Sequence, residues 1–265
     1  MKEHFSELLE QLRRQLIGMG AEVESQIRVA VEALVEGDAA KARGVCGRDP
    51  VVNDLEVRNE AAVIHLLATQ QPVAGDLRLL VAAIRINADL ERIGDHAVNI
   101  AEAAERLAGV KPFKPWIDIP HMAEVVRGML RDALDAFVRR DPVLAKEVLL
   151  RDDIVDHKNL SIIRELLTYM AENPALISRS IEIMSISKNL ERVADLATNI
   201  AEETIFIAEG TSIKHQGKTA EEPAAEAVAE EEPAEAGEDL VEGDTDEAEV
   251  DAAGDEDKVE QETRA

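Results

Sequence analysis

Aromatic side chains are nearly missing from this chain. One Trp, one Tyr and four Phe make up 2% of its 265 residues, so aliphatic packing, not ring stacking, must carry the core. Cysteine occurs once, at Cys46, which excludes an intrachain disulfide framework and fits a reducing cytoplasm. Basic residues are scarce, with 29 Lys and Arg against 55 Asp and Glu and a formal net charge of −26. A nucleic-acid binder neutralises phosphates with Lys and Arg, so this balance argues against one. It equally disfavours a direct grip on an anionic membrane face. No apolar run approaches the length of about 18 residues that spans a bilayer, so no membrane insertion is expected. The opening "MKEHFSELLEQLRRQL" mixes charge with apolar residues and does not read as a secretory leader.

The charge is unevenly spread. From Lys214 onward there are 20 acidic and four basic residues, a net −16, and no aromatic residue. A segment such as "EEPAAEAVAEEEPAEAGEDL" holds too little apolar area to offset its ordering entropy, so residues 214–265 are expected to be a disordered acidic tail. A solubilising role is the plain reading of it, an interaction arm the alternative.

What remains is rich in helical periodicity. Phe5, Leu8, Leu12, Leu16, Met19, Val23, Ile27, Val31 and Leu34 recur at three and four, and no segment alternates cleanly at period two. Gly37-Asp38 reads as a helix stop followed by an N-cap, and Asp141-Pro142 as an N-cap with Pro at the first helical position. "QQP" at 70–72 and "ENP" at 172–174 mark tight connections. "VKPFKPWIDIP" at 110–120 is the long break. Helices are therefore predicted at roughly 2–36, 39–69, 74–108, 120–139, 142–171 and 176–209. The fold class is all-α: two tandem, similar three-helix bundles, residues 1–110 and 118–210, followed by the acidic tail.

The two halves match in detail. "LERIGDHAVNIAE" at 90–102 returns as "LERVADLATNIAEE" at 190–203, and 10 of 19 positions are identical between 86–104 and 186–204. A tandem duplication explains this better than chance. On a helix, Glu91, Asp95 and Glu102 fall within about 40° of one another with Asn99 beside them; Glu191, Asp195, Asn199 and Glu202 repeat the pattern. Acids four apart repel, so either the nearby Arg92 and Arg192 pair with them or a cation is their partner. The opposite strand of each helical hairpin adds to the count. If the first hairpin turns at Pro72, Asp49 lies level with Asp95 and Asn53 with Glu91. If the second turns at 173–174, Asp152 lies level with Asp195 and Asp156 with Glu191. Converging carboxylates are costly unless a cation neutralises them, and all-oxygen sets suit hard cations such as Mg²⁺, Mn²⁺, Ca²⁺ or Fe³⁺. Because Pro50 follows Asp49, that residue has a competing reading as the cap of a helix restarted after a kink.

At these residues the chain resembles the PhoU family of phosphate-signalling regulators. The resemblance covers about residues 1–210 and rests on the two repeated segments, on "QQPVAGDLR" at 70–78 and on the duplicated three-helix layout. It implies two similar bundles side by side, with Glu/Asp-x-x-x-Asp motifs able to hold multinuclear metal clusters of Fe, Mn, Mg or Zn on the bundle surface. By matching position these fall on Glu91/Asp95, Glu191/Asp195 and Asp152/Asp156, while Asn53 stands where the first half would carry Asp and leaves that site one charge poorer. The resemblance also implies a cytoplasmic, homodimeric negative regulator of phosphate uptake. Its partners would be the ATPase of a phosphate ABC transporter and a sensor histidine kinase.

Nothing in the sequence points to catalysis. His4, His65, His96, His121, His157 and His215 form no Glu-x-x-His motif of the di-iron carboxylate kind. His96 and His157 lie beside the acid stripes as possible extra ligands, each in one half only. "GMG" at 18–20 lacks the Lys-Ser or Lys-Thr of a phosphate loop. Cys46 reads as packed, not nucleophilic, and Asp76 and Arg78 as an ordinary helix start. A carboxylate-bridged metalloenzyme and a metal-free helical scaffold remain the alternatives to a regulator.

Overall fold

A computed structural model describes residues 2–210, and the expected tail at 214–265 lies outside the described residues. Seven α-helices and one short 3₁₀ turn, without a strand among the described residues, follow in order: α1 Lys2–Glu36, α2 Ala39–Cys46, α3 Asp49–Gln70, α4 Ala74–Leu107, α5 Asp118–Arg139, α6 Pro142–Glu172, the turn Pro174–Leu176, and α7 Ile177–Glu209. The punctuation read from sequence operates as expected. Asp38 Oδ1 accepts from the backbone N–H of Ala40 and Lys41 at 2.9 and 3.0 Å. Asp141 Oδ1 accepts from those of Val143 and Leu144 at 2.9 and 3.1 Å. Gly37 ends α1 with φ +67°, a conformation that costs glycine little.

The helix predicted over 39–69 is two helices. The chain breaks at Gly47–Arg48 and restarts as α3, because Pro50 has no N–H to bond back to residue 46 and its ring crowds the preceding turn. Asp49 is not the cap of the restarted helix. Arg48 occupies the cap position without a side-chain bond, and Asp49 is the first helical residue.

α1, α3 and α4 form one bundle and α5, α6 and α7 the second, with α4 and α7 packed against each other as extensively as any pair in the molecule. The two run antiparallel, since Arg85 of α4 reaches Glu203 of α7 while Arg106 reaches Glu182. Ala97, Ala101 and Ala104 on α4 and Ala194, Ala197 and Ala201 on α7 are buried, and such small side chains allow close approach. α1 and α5 make a second contact between the halves. Glu24 receives Arg127 and Arg131 there at 3.0 and 2.6 Å, and a Cβ on Gly20 would stand 2.2 Å from Leu134 Cδ1. The apolar core runs without interruption through both bundles. The proline-rich joint is pinned to the second bundle by Lys114, buried and ion-paired with Glu165 and with Asp118 at 3.1 Å. Phe113 adds an edge contact to Tyr169, with ring centroids 5.2 Å apart.

Each hairpin also carries a buried polar lock. Asn59 Nδ2 on α3 donates to Asn87 Oδ1 on α4 at 2.9 Å, and Asn87 Nδ2 donates to the Glu56 carbonyl at 2.9 Å. One hundred residues later, Ser187 Oγ on α7 donates to Asn159 Oδ1 on α6 at 2.7 Å. Met19 and Met122 pack a sulfur 3.6 Å from the first and second lock respectively. A buried polar group is costly if left unpaired, so these pairs select one register of each hairpin. Replacing Asn87 by Ala should lower stability by about 2 kcal/mol, or about 4–8 °C in melting temperature. The Asn59→Ala, Asn87→Ala double change should cost much less than the sum of the singles. Thermal melts of the three variants measure this, and strict additivity would mean the pair does not act as a unit.

Candidate functional site

The Ser187–Asn159 lock sets the height of everything along the second hairpin. One turn beyond Asn159 stands Asp156 and one further Asp152; one turn beyond Ser187 stands Glu191 and one further Asp195. Asp152, half-buried, has its carboxyl pushed up from 3.8 to about 6, first by burial and then by the charges of Asp195, Asp156, Asp153 and Glu191. The four carboxylates expected from the sequence therefore act on one another, with Asp153 added. Asp152 Oδ1 is buried and has no hydrogen-bond partner. Glu191 is held differently, by Lys188 Nζ at 2.6 Å. Asn199 is half-buried, one turn past Asp195.

The first hairpin gathers a similar set from partly different residues. Glu91 is raised by burial, then by Asp95, Glu56 and Asp49, against an opposing pull from Arg92. Asp95 is raised by burial and by Asp49, with His96 opposing. Asn53 does not face Glu91; it is exposed, and its Nδ2 donates to Asp49 Oδ2 at 3.0 Å. Glu56 takes that place, so the first site also has four carboxylates. The sequence carried a signal for it. Shifting by the 100-residue repeat that relates Asn59 to Asn159 relates Glu56 to Asp156 and Val52 to Asp152. Val52 is buried, and a Cβ on Gly94 would stand 3.1 Å from its Cγ1. Where the second half has its most strained acid, the first has a core contact, and Asp49 supplies the charge from the turn before. Counting levels outward from Pro72 missed this because the Asn59–Asn87 pair sets a register about two residues away from that of a turn centred on Pro72.

Asn99 leaves the acid stripe as well. Its Nδ2 donates to Asn189 Oδ1 on α7 at 3.3 Å, and His96 Nδ1 meets the same oxygen at 2.9 Å. His157 Nδ1 lies 2.6 Å from the carbonyl of Asp153 in its own helix. Arg92 sits 3.4 Å from Asp89, and Arg192 has no hydrogen bond or ion pair among the described residues, so neither arginine closes the stripe as its ion-pair partner. The Cys46 thiol is raised by burial and by Glu102, which keeps it protonated and poorly nucleophilic. No described helix is long and apolar enough to cross a membrane.

The donor set fits a hard cation in kind: all oxygen, strongly anionic, with one buried oxygen left unpartnered. As they stand, no three or more His, Cys, Asp or Glu side chains among the described residues close on a common metal position. Mutual repulsion keeps such oxygens apart while nothing neutralises them.

Fold and site together define an all-α tandem repeat that presents two carboxylate clusters from its helical hairpins. The family model described as the PhoU domain matches residues 16–104 and again 119–204. A phosphate-specific transport system accessory protein PhoU homolog from Pseudomonas putida is 39% identical over 219 residues, covering 82% of this chain and 85% of that protein. The homolog of the same description from Aquifex aeolicus is 40% identical, covering 78% of this chain and 94% of its own. The crystal structure of PhoU from Pseudomonas aeruginosa superposes with a TM-score of 0.75 at 38% identity, over 78% of this chain and all of that one. The phosphate transport system regulatory protein PhoU from Streptococcus pneumoniae gives 0.74 at 26% identity, over 78% of this chain and 98% of that one. The chain belongs to the PhoU family.

The raised Asp152 carboxyl makes a pH prediction. The folded state takes up this proton near pH 6, the unfolded chain near 3.8. Stability from this group is therefore fully present below pH 4 and is lost as pH rises through about 6. Solvent at the half-buried site screens the effect, so Asp152→Asn should stabilise the metal-free protein at pH 7.5 by about 1 kcal/mol, or about 2–4 °C. The difference from wild type should shrink at pH 5. Melts at the two pH values check it, and a destabilised variant at pH 7.5 would contradict the assignment.

Proposed function

We infer that the chain is a cytoplasmic, non-enzymatic regulator of phosphate uptake. It would couple a phosphate ABC transporter, through its ATPase, to a sensor histidine kinase and hold the starvation response down when phosphate is plentiful. The observation that carries this reading is the match of both repeats, at high coverage, to accessory proteins of phosphate-specific transport. Deleting the gene should leave phosphate-starvation genes active in phosphate-replete medium, and reintroducing the full chain should silence them. Transcript levels measure this; normal repression in a deletion strain without a second gene of this family would reject the reading.

Asp152, Asp156, Glu191 and Asp195 would hold a hard cation in the second bundle, and Asp49, Glu56, Glu91 and Asp95 one in the first. A cation such as iron, manganese, magnesium or zinc would supply positive charge that neutralises the acids and ties the two helices of a hairpin together. The side chains themselves offer oxygens, and Asp152 offers one without any other partner. A ligand that binds only the folded state stabilises it by about 2.7 kcal/mol at a hundredfold excess over Kd. Titrating these metals while following melting temperature and bound metal should show that gain in wild type and its loss in Glu191→Gln, Asp195→Asn. Glu91→Gln, Asp95→Asn should lose less, since the more strained acid is Asp152. A wild type that no cation stabilises would leave the stripes as solvated helix faces.

A further inference from the structure

The seam between α4 and α7 opens into a cleft of about 340 Å³. Arg106 of α4 and Lys188 and Arg192 of α7 line it, with Asn99, Asn189 and Ser185 between them and Glu102 as the carboxylate among the lining residues. Three cations converging on one cleft are unexpected in a chain of net charge −26. The duplication repeats only one of them: Arg92 stands 100 residues before Arg192, but Phe206 and Ala88 stand where Arg106 and Lys188 would recur.

The cations are only partly satisfied. Arg192 has no hydrogen bond or ion pair among the described residues. Arg106 is divided between Glu182 at 2.9 Å and Glu102 at 3.6 Å. Lys188 turns to Glu191. The uncharged groups are pre-set. Asn189 donates its Nδ2 to the Ser185 carbonyl at 2.8 Å and receives Asn99 and His96 on its oxygen. The second amide hydrogen of Asn99 and the hydroxyl of Ser185 are left to donate.

We propose that this cleft binds a doubly charged oxyanion of the phosphate type, with Arg106 and Arg192 as its cationic walls and Lys188 shared between the anion and Glu191. Guanidinium groups match the geometry of phosphate oxygens in pairs, and a lysine on its four-carbon stem serves as a movable point charge. Lys188 links the cleft to the acidic cluster, since Glu191 faces Asp152. Whatever neutralises Glu191 releases Lys188 to the anion. The inference stands apart from the regulatory and metal readings, because changing Glu191 to Gln releases Lys188 with no metal present. The cleft is roomier than a lone phosphate needs, so a free anion and the phosphate of a small phosphorylated molecule meet the same cations.

Calorimetric titration of the full-length, metal-free protein at low salt tests this, with inorganic phosphate in one arm and magnesium-free ATP in the other. Binding of inorganic phosphate supports the proposal with a free anion as ligand; binding of ATP alone supports it with a phosphorylated metabolite. Arg192→Gln and Arg106→Gln should each weaken binding about tenfold or more. Glu191→Gln should tighten it about three- to fivefold. All three side chains are at least partly exposed, and melting curves confirm that the variants fold. Failure of both ligands to bind, or arginine variants that bind as wild type does, would overturn the site. An unchanged affinity in Glu191→Gln would overturn the shared lysine.

Discussion

The close antiparallel approach of α4 and α7 is the constraint on which the rest of the molecule depends. Each packs against the flanking helices of its own bundle and against the other central helix, so each buries side chains on more than one face. Alanine at 97, 101, 104, 194, 197 and 201, buried in every case, lets two long helices share this role without forcing the flanking helices apart. The charged pair Arg85–Glu203 adds orientation. Glu203 is 1% exposed and receives Arg85 on both oxygens at 3.0 and 3.1 Å. A buried carboxylate is costly without such a partner, so this contact penalises any other alignment of the seam. It is also a point where the repeats differ, since Ala103 and Ser185 stand at the corresponding positions.

With two faces of each central helix committed to packing, a third is left at the edge of its hairpin, and the acid stripes lie there. The buried amide locks bring α3 and α6 to a height at which their own acids oppose those stripes. The result is electrostatically unfavourable by construction. Asp152 is forced toward protonation and keeps a buried oxygen without a partner, while Glu91 and Asp95 are pushed the same way. Repulsion held in place by well-packed helices is a common mark of a functional position, since a rigid scaffold tolerates a local cost that a ligand can relieve.

The seam and the hairpins communicate through short contacts. Lys188 lies on the seam yet holds Glu191, and His96 follows Asp95 in sequence yet binds Asn189 of the other repeat. The two repeats therefore share electrostatics as well as a core, although neither feature is part of the duplicated pattern.

Local chemistry was legible in the residues alone. Helix content, the capping roles of Asp38 and Asp141, the duplication and the grouping of Asp152, Asp156, Glu191 and Asp195 all follow from spacing, since helical periodicity and capping act within a few residues. The second hairpin was readable because its register agrees with a turn centred at 173–174. The first was not, because the register across α3 and α4 is chosen by the Asn59–Asn87 pair, which joins residues far apart in the chain. That choice placed Glu56, not Asn53, beside Glu91. Asn99 looked like a member of the acid stripe until α7 arrived beside it. Which helix faces pair across the seam is decided by shape and by burial of charge between distant segments. No periodicity within either helix encodes those quantities, so only the tertiary structure settles them.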